Sequence, residues 1–333
     1  MCECLKRRVF NHSLCVLPSI VDLPPMFETL IRRERLPASS GRLRLDQAAA
    51  QLFPEYSRAK LQAWIKSGEL RVDGQAGKAA ARVAPGALIE INAQQTQIAS
   101  GPESIPLDVR FEDPDFLVVN KPAGLVVHPG AGNPTGTLMN ALMHYAPETM
   151  GLPRAGIIHR LDKETSGLLM VAKSLTAMTA LTRQLADRGI KREYEAIVYG
   201  HPAPFGIVDA PIGRHPTHRT KMAVRPLGRA SETHFWCLAR YGGLAHMRFS
   251  LVTGRTHQIR VHMEHLGHPL VGDPVYRQRR GPRLEGVPEF GRQALHARHL
   301  ELAHPVSGDI VEVNADAPDD FQALLAWARA SND

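Results

Sequence analysis

Cysteine is scarce in this 333-residue chain, with four in all: Cys2, Cys4 and Cys15 crowd the first segment and Cys237 stands alone. That distribution offers no disulfide framework. Long apolar runs are missing too. Even the best, such as Gly167 to Ala172, fall far short of the roughly 18 consecutive apolar residues a membrane span needs, so no spanning helix is expected and cytoplasmic residence is the default. An acidic surplus is also absent: 33 Asp and Glu stand against 40 Lys and Arg, for a net charge of +7. That sign is compatible with a phosphate-rich partner, although charge alone identifies none. What is present is enough apolar material, 44% of residues, to bury a sizeable core and to fill more than one domain.

Residues 1–41 mix Arg, Pro and scattered apolar residues without a sustained period, and they read as a poorly ordered extension. Arg7, Arg8, Val9 and Phe10 suggest a targeting signal, but Asn11, His12 and Ser13 interrupt any apolar region, and Met26 is an alternative start. A first ordered block spans 42–92. Leu45, Ala48, Ala49 and Leu52 recur at helical spacing until Pro54 breaks the helix. Ser57 is a candidate N-cap for a second helix with Leu61, Trp64 and Ile65 on its apolar face and Gly68 near its end. Short strands then flank Asp73-Gly74 and follow Pro85-Gly86.

Residues 93–106 are polar and read as a linker, and 107–330 form a second domain. Strands are expected at Leu117–Asn120, Leu125–Val127, Gly156–Ile158, Leu168–Ala172, Arg192–Tyr199, Thr233–Ala239 and His246–Val252, with a Ser174-capped helix carrying Leu175, Met178, Leu181 and Leu185. The order of helices and strands is irregular and several connections are tight. An α+β fold with a mixed, mostly antiparallel sheet is therefore favoured over a doubly wound parallel one. No internal repeat is present at a fixed period.

One stretch concentrates chemistry: His159-Arg160-Leu161-Asp162-Lys163-Glu164-Thr165-Ser166, a polar loop between two apolar segments. By its local sequence it is a carboxylate near an arginine, and a structural Asp bonded to turn amides is the weightier reading. Tyr194 alone is an ordinary half-buried strand tyrosine. Gly130, Gly132 and Gly136 have the wrong spacing for a dinucleotide loop, and a turn is expected there. His257, His262, His265 and His268 are conspicuous, but His262, His265 and His268 at intervals of three drift around a helix and no cysteines join them, so surface or RNA-facing histidines are expected rather than zinc ligands. Arg214 to Arg225, with Pro216 inside, reads as a mobile basic loop that grips RNA.

Four segments in this order resemble the pseudouridine synthases that act on ribosomal RNA. They are Asn120-Lys121-Pro122-Ala123-Gly124-Leu125-Val126-Val127-His128-Pro129, the stretch from His159 to Leu169, Lys191-Arg192-Glu193-Tyr194, and Leu251 to His262 with Arg255-Thr256-His257-Gln258-Ile259-Arg260 inside. The first block is similar to the small RNA-binding domain named after the fourth protein of the small ribosomal subunit, through Arg44-Leu45-Asp46, Tyr56-Ser57-Arg58, Trp64-Ile65 and Arg71-Val72-Asp73-Gly74. Together the resemblance covers nearly all of the chain after Arg42, and it is closest to the large-subunit branch that modifies helix 69 of 23S rRNA.

The resemblance implies that Asp162 is the catalytic carboxylate, that Tyr194 stacks on the flipped base and helps remove the carbon-5 proton, and that Arg260 orients Asp162, with Arg255 a second candidate or an RNA contact. It implies that Arg160 takes part in base extrusion, that His159 sits on the substrate, and that Arg58, Lys60 and Arg71 face the RNA backbone. The implied reaction opens the bond between ribose carbon-1 and uracil nitrogen-1, turns the base and rejoins it through carbon-5. No redox change or group donor is involved, so no cofactor and no metal are expected. Asp162 suits either of two roles, adding to ribose carbon-1 as a retaining glycosidase nucleophile does or taking the carbon-2 proton. The partner implied is 23S rRNA or a pre-50S particle, met by a monomer. A non-catalytic assembly factor is the alternative, but it has no chemical need for Asp162, Tyr194 and Arg260 together. A base methyltransferase would need a donor-binding glycine loop on a parallel sheet, which the sequence lacks.

Overall fold

The computed structural model describes residues 27–54, 56, 58–96, 101–130, 132–218, 221–277 and 286–331. The chain divides into two compact units, 1–99 and 100–333. In the first, β1 (Phe27–Arg35), β2 (Leu43–Arg44), α1 (Leu45–Leu52), α2 (Arg58–Ser67), β3 (Leu70–Val72), β4 (Gln75–Ala76), β5 (Arg82–Val83) and β6 (Leu88–Thr96) follow one another. Leu45, Ala48 and Ala49 of α1 and Leu61, Trp64 and Ile65 of α2 pack with Leu70, Ile89 and Ile91 of the sheet into one core, which is why the helical spacing of those residues was readable.

Two differences from expectation appear in this unit. Part of the supposedly disordered 1–41 stretch is a strand: β1 pairs antiparallel with β6 along its whole length, from Phe27 opposite Thr96 to Arg35 opposite Leu88. The run of Arg32, Arg33, Glu34 and Arg35 hid the strand, because an edge strand with charged side chains lacks an apolar rhythm. The same pairing carries β6 past residue 92 into the stretch read as linker. Ser57, the expected cap of α2, lies outside the described residues, as does 1–26.

The second unit contains β7 (Val109–Glu112), β8 (Phe116–Lys121), α3 (Leu138–Tyr145), β9 (Ser166–Ala172), α4 (Leu175–Ala186), β10 (Lys191–Tyr199), β11 (Phe205–Asp209), β12 (Ile212–Arg214), β13 (Met222–Val224), β14 (Glu232–Tyr241), β15 (Leu244–Leu251), α5 (Gln258–His265), β16 (Leu295–Ala303), β17 (Ile310–Asn314) and α6 (Asp319–Ala330). Its large sheet runs β11-β14-β15-β10-β16-β9-β8-β7, with β17 on the flank of β16. Every pair is antiparallel except β9 with β16, which meet in parallel over Ser166 to Gly167 and His296 to Ala297. A side chain at Gly167 would collide with the backbone of Ala297, its Cβ falling 2.2 Å from the carbonyl oxygen. Only glycine permits this approach of the two strands.

Two expected strands are not strands. Leu125–Val127 gives its carbonyls to α3 instead of a sheet neighbour: Leu138 N donates to Val126 O at 2.8 Å and Met139 N to Val127 O at 3.1 Å. Gly156–Ile158 holds a single bridge, Ile157 opposite Val171, after a short 3-10 turn over Pro153–Gly156. The basic segment around Arg214 to Arg225 is a hairpin of β12 and β13 among the described residues, not simply a loop. Lys221, read as an RNA-facing cation, is buried and bonds Glu264 at 2.6 Å.

Candidate active site

The loop from Ile158 to Thr165 is tied at both ends. Ile158 N donates to Met170 O, and Thr165 N closes a turn onto Asp162 O at 3.0 Å. Gln293 Nε2 donates to Thr165 Oγ1 at 3.0 Å and Arg292 Nη1 to Glu164 O at 3.2 Å, so the strand pair that brings β16 beside β9 also braces this loop. A third brace comes from Lys121, whose side chain is almost wholly buried. Its Nζ donates to Pro122 O, Leu125 O and Lys163 O at 2.7, 3.0 and 3.0 Å, stitching the loop to the turn after β8. Burial outweighs the opposing pull of Glu164 and Asp162 and holds this ammonium down at about 7.

Held in this way, Asp162 points into a cleft of 790 Å³ lined by His128, Arg154, His159, Arg160, Arg192, Tyr194, Arg255, His257 and Arg260, among others. Arg260 projects from the first turn of α5. Its Nη1 donates to Asp162 Oδ2 at 2.9 Å, and its Nε and Nη2 grip Asp273 through both carboxylate oxygens at 2.7 and 2.9 Å. Asp273 is itself fixed by the backbone N–H groups of Val275 and Tyr276. The guanidinium is thus a planar bridge between two carboxylates, one wholly buried and one facing the cleft. Its fork geometry sets where Asp162 sits, because neither end of the bridge can turn independently.

His257 approaches from the other side, Nε2 lying 3.8 Å from Asp162 Oδ1. Its Nδ1 is 2.9 Å from Tyr276 Oη, and that hydroxyl oxygen accepts from Met222 N of the β12–β13 hairpin. Burial lowers His257 more strongly than Asp162 raises it, so at neutral pH it meets Asp162 as a neutral ring. The turn that presents His257 is organised by Gln258, whose Oε1 accepts from Thr253 Oγ1 and Arg255 N and whose Nε2 donates to Glu232 O and Thr233 Oγ1.

Tyr194 lies on β10 between Phe249 of β15 and Ala297 of β16, beside a bulge in the β16 pairing. It is 6% exposed, and burial raises its phenol. Arg160 is exposed at the cleft with no ion-pair partner among the described residues, whereas Arg255 Nε donates to Ala230 O at 3.2 Å and makes no described bond to Asp162. His159 lines the cleft, and its Nε2 accepts from Met170 N at 3.1 Å. Arg58, Lys60 and Arg71 lie in the first unit. Arg58 is exposed 3.8 Å from Asp46, Lys60 lies over the Tyr56 and Trp64 rings, and Arg71 Nε bonds Gly68 O.

His262, expected at the surface, is fully buried: Nδ1 meets Thr233 Oγ1 at 2.9 Å and Nε2 meets Ala210 O at 3.0 Å. It faces the sheet because α5 packs across β14. His268 Nδ1 is occupied by Tyr199 O. Asp273, Tyr276, Lys121 and Arg192 were given no role by sequence reading, and His257, read as a surface or RNA-facing histidine, lies beside Asp162. For Arg192 a signal existed, since it stands two residues before Tyr194 on one strand and so shares its face.

Burial holds His159 down at about 3, against an ordinary 6.5, and also lowers His262 and His296. As pH falls below 6.5 the unfolded chain takes up protons that these folded rings refuse, so stability falls between 6.5 and about 3. His159→Gln keeps an acceptor for Met170 N and removes one titration. Thermal melts at neutral pH and near about pH 4.5 should show a smaller acid loss for this variant; an unchanged loss would detach the effect from His159.

Residues 115–265 match the RNA pseudouridylate synthase family and residues 43–89 the S4 domain. The chain is 48% identical over 296 residues to ribosomal large subunit pseudouridine synthase D of Escherichia coli (strain K12), covering 86% of this chain and 91% of that one. The enzyme of the same name from Pseudomonas aeruginosa is 48% identical over 314 residues, covering 91% and 98%. Among solved structures, human RNA pseudouridylate synthase domain containing 1 shares 28% identity with a TM-score of 0.52, over 69% of this chain and 98% of that one. The chain belongs to the RNA pseudouridylate synthase family, as a member that carries an S4 domain ahead of the synthase fold.

Proposed function

We propose that this synthase isomerises uridines in large-subunit ribosomal RNA, in the helix 69 stem-loop of 23S rRNA, with Asp162 as the reacting carboxylate. The observation that carries the reading is the Asp162 carboxylate presented to an open cleft by a guanidinium that Asp273 clamps from behind. A carboxylate kept only for folding has no need to face a cavity. The address is supported by the relatives named for the large ribosomal subunit, which match along 85% or more of this chain.

In this reading the flipped uridine enters the cleft, Tyr194 stacks on the base, and Asp162 acts at the ribose, on carbon-1 or on the carbon-2 proton. Arg160, exposed at the cleft with no ion-pair partner among the described residues, helps extrude the base. Arg255 contacts RNA near the hairpin, and His159 sits on the substrate. Arg58, Lys60 and Arg71 supply phosphate contacts from the S4 domain. The enzyme works as a cytoplasmic monomer without cofactor, on 23S rRNA or the pre-50S particle.

Carbodiimide-treated ribosomal RNA, sequenced from cells with and without the gene, tests the assignment. Pseudouridine stops within helix 69 should vanish when the gene is removed and return with the parental gene. An unchanged pattern would overturn the function, and loss at another large-subunit site would overturn the address alone.

A further inference from the structure

Three arginines of the described residues are buried: Arg192, Arg260 and Arg292, at 5, 4 and 7% exposure. Two of them have carboxylate partners, Arg260 with Asp162 and Asp273 and Arg292 with Asp320. Arg192 has none among the described residues. Its Nη2 donates to Leu251 O at 3.2 Å, and its Nε is buried without any hydrogen-bond partner. A guanidinium taken out of water without a counter-charge is costly, so a fold that keeps one either compensates it or uses it.

The surroundings indicate the use. Arg192 lines the same cleft as Asp162 and Tyr194. It precedes Tyr194 by two residues on β10, which places both on one face about 7 Å apart along the strand. Space has been left for it: a Cβ on Gly254 would lie 2.9 Å from Arg192 Nη1. A base stacked on Tyr194 would therefore turn an edge toward a permanently charged guanidinium that has no carboxylate partner among the described residues.

We propose that Arg192 is a catalytic residue that stabilises the uracil anion while the base is detached. The proposal rests on the reading that Asp162 opens the glycosidic bond. When the bond between ribose carbon-1 and nitrogen-1 breaks, its electron pair goes to nitrogen-1, whether Asp162 adds to carbon-1 or removes the carbon-2 proton. The freed ring then carries one negative charge shared by nitrogen-1 and its two carbonyl oxygens. Arg192 receives that charge through N–H donors aimed at a carbonyl oxygen, which keeps the base in the cleft as it turns. When carbon-5 attacks ribose carbon-1, the ring's electron pair enters the new bond. On one route Asp162 departs with its own pair; on the other it returns the proton to carbon-2. The carbon-5 proton is then lost, nitrogen-1 gains one, and the net change is an isomerisation. The charge exists only between bond breaking and bond making, so the guanidinium acts on the transition states and not on RNA binding.

The test is single-turnover loss of the parent nucleoside, read as opening of the bond between ribose carbon-1 and nitrogen-1, in a stem-loop RNA containing either uridine or 5-fluorouridine, which has no carbon-5 proton to lose afterwards; filter binding and a thermal melt accompany each variant. The fluorinated base is the better anion and needs less help to leave. Arg192→Met should slow the uridine substrate by about 100-fold or more, slow the fluorinated substrate far less, and leave RNA affinity within about twofold. Its melting temperature should not fall, because an uncompensated buried charge has been removed. Arg192→Lys, which keeps the charge without the fork, should recover part of the rate. Equal losses on both substrates, no loss, or a loss that follows a lowered melting temperature would each overturn the proposal. Asp162→Asn is run in parallel and should be silent on both substrates; turnover there would unseat the reading of Asp162, a failure distinct from that of Arg192.

Discussion

Asp162→Asn should abolish detectable release of tritium from carbon-5-labelled uridine in RNA. The substitution keeps the volume and an oxygen that can still accept from Arg260 Nη1, but it removes the charge and the nucleophile. Folding should survive, for three reasons. The loop is braced by Lys121, Arg292 and Gln293 rather than by the Asp162 side chain. Arg260 keeps both bonds to Asp273. What is lost is one charge-assisted contact facing the cleft, about 2 kcal/mol at most. RNA affinity should be unchanged or slightly tighter, since an acidic group facing phosphates is neutralised. A variant that binds and melts like the parent and still releases tritium at the parental rate would end the case for this carboxylate.

Arg260→Met should be damaging in two ways at once. Removing the bridge leaves Asp273 buried with only backbone donors and leaves Asp162 without its anchor. Breaking a buried ion pair from one side typically costs about 3–5 kcal/mol, enough to lower the melting temperature by several degrees or more. Turnover should fall with it, because Asp162 is no longer held. Arg260→Lys should keep more stability than activity, as one ammonium cannot bond both oxygens of Asp273 and also reach Asp162. Adding Asp273→Asn to Arg260→Met should restore part of the melting temperature and none of the turnover. If the double variant melts no higher than the single one, the destabilisation does not come from the orphaned carboxylate.

The parts of this molecule that sequence made legible are those governed by neighbours along the chain. α1, α2 and α4 have one apolar face each, and Ser174 caps α4 by accepting from Ala177 N. β8, β9, β10, β14 and β15 carry enough apolar residues to announce themselves. Leu125–Val127 looked like a strand for the same reason and is not one, because the Val126 and Val127 carbonyls are taken by the start of α3. β1 was invisible because its strand character comes from β6. In the site, the resemblance pointed to Asp162, Tyr194, Arg160 and Arg260, and all four line one cleft. Nothing in the local sequence around Gly272-Asp273-Pro274 distinguishes Asp273 from a turn aspartate, yet it clamps Arg260 across 13 residues. Lys121 opens a turn sequence with no role legible in it, and only the fold reveals that it spends three donors on carbonyls.

The pairing of β9 with β16 also dictates when the site can exist during synthesis. Ser166 Oγ meets His296 Nδ1 across 130 residues, and Arg260 reaches Asp162 across 98. A nascent chain that has emerged only through β9 and α4 can form the antiparallel β8–β9 pair and the polar loop before β9, but it holds Asp162 without an anchor. α6 is later still, and Asp320 at its start is what neutralises Arg292 behind that loop. Closing contacts this distant is slow, because the chain between must be ordered before the contact repays it. The cleft is therefore completed only after β16 has been made, and a chain cut short before it would carry Asp162 without the bracing that aims it.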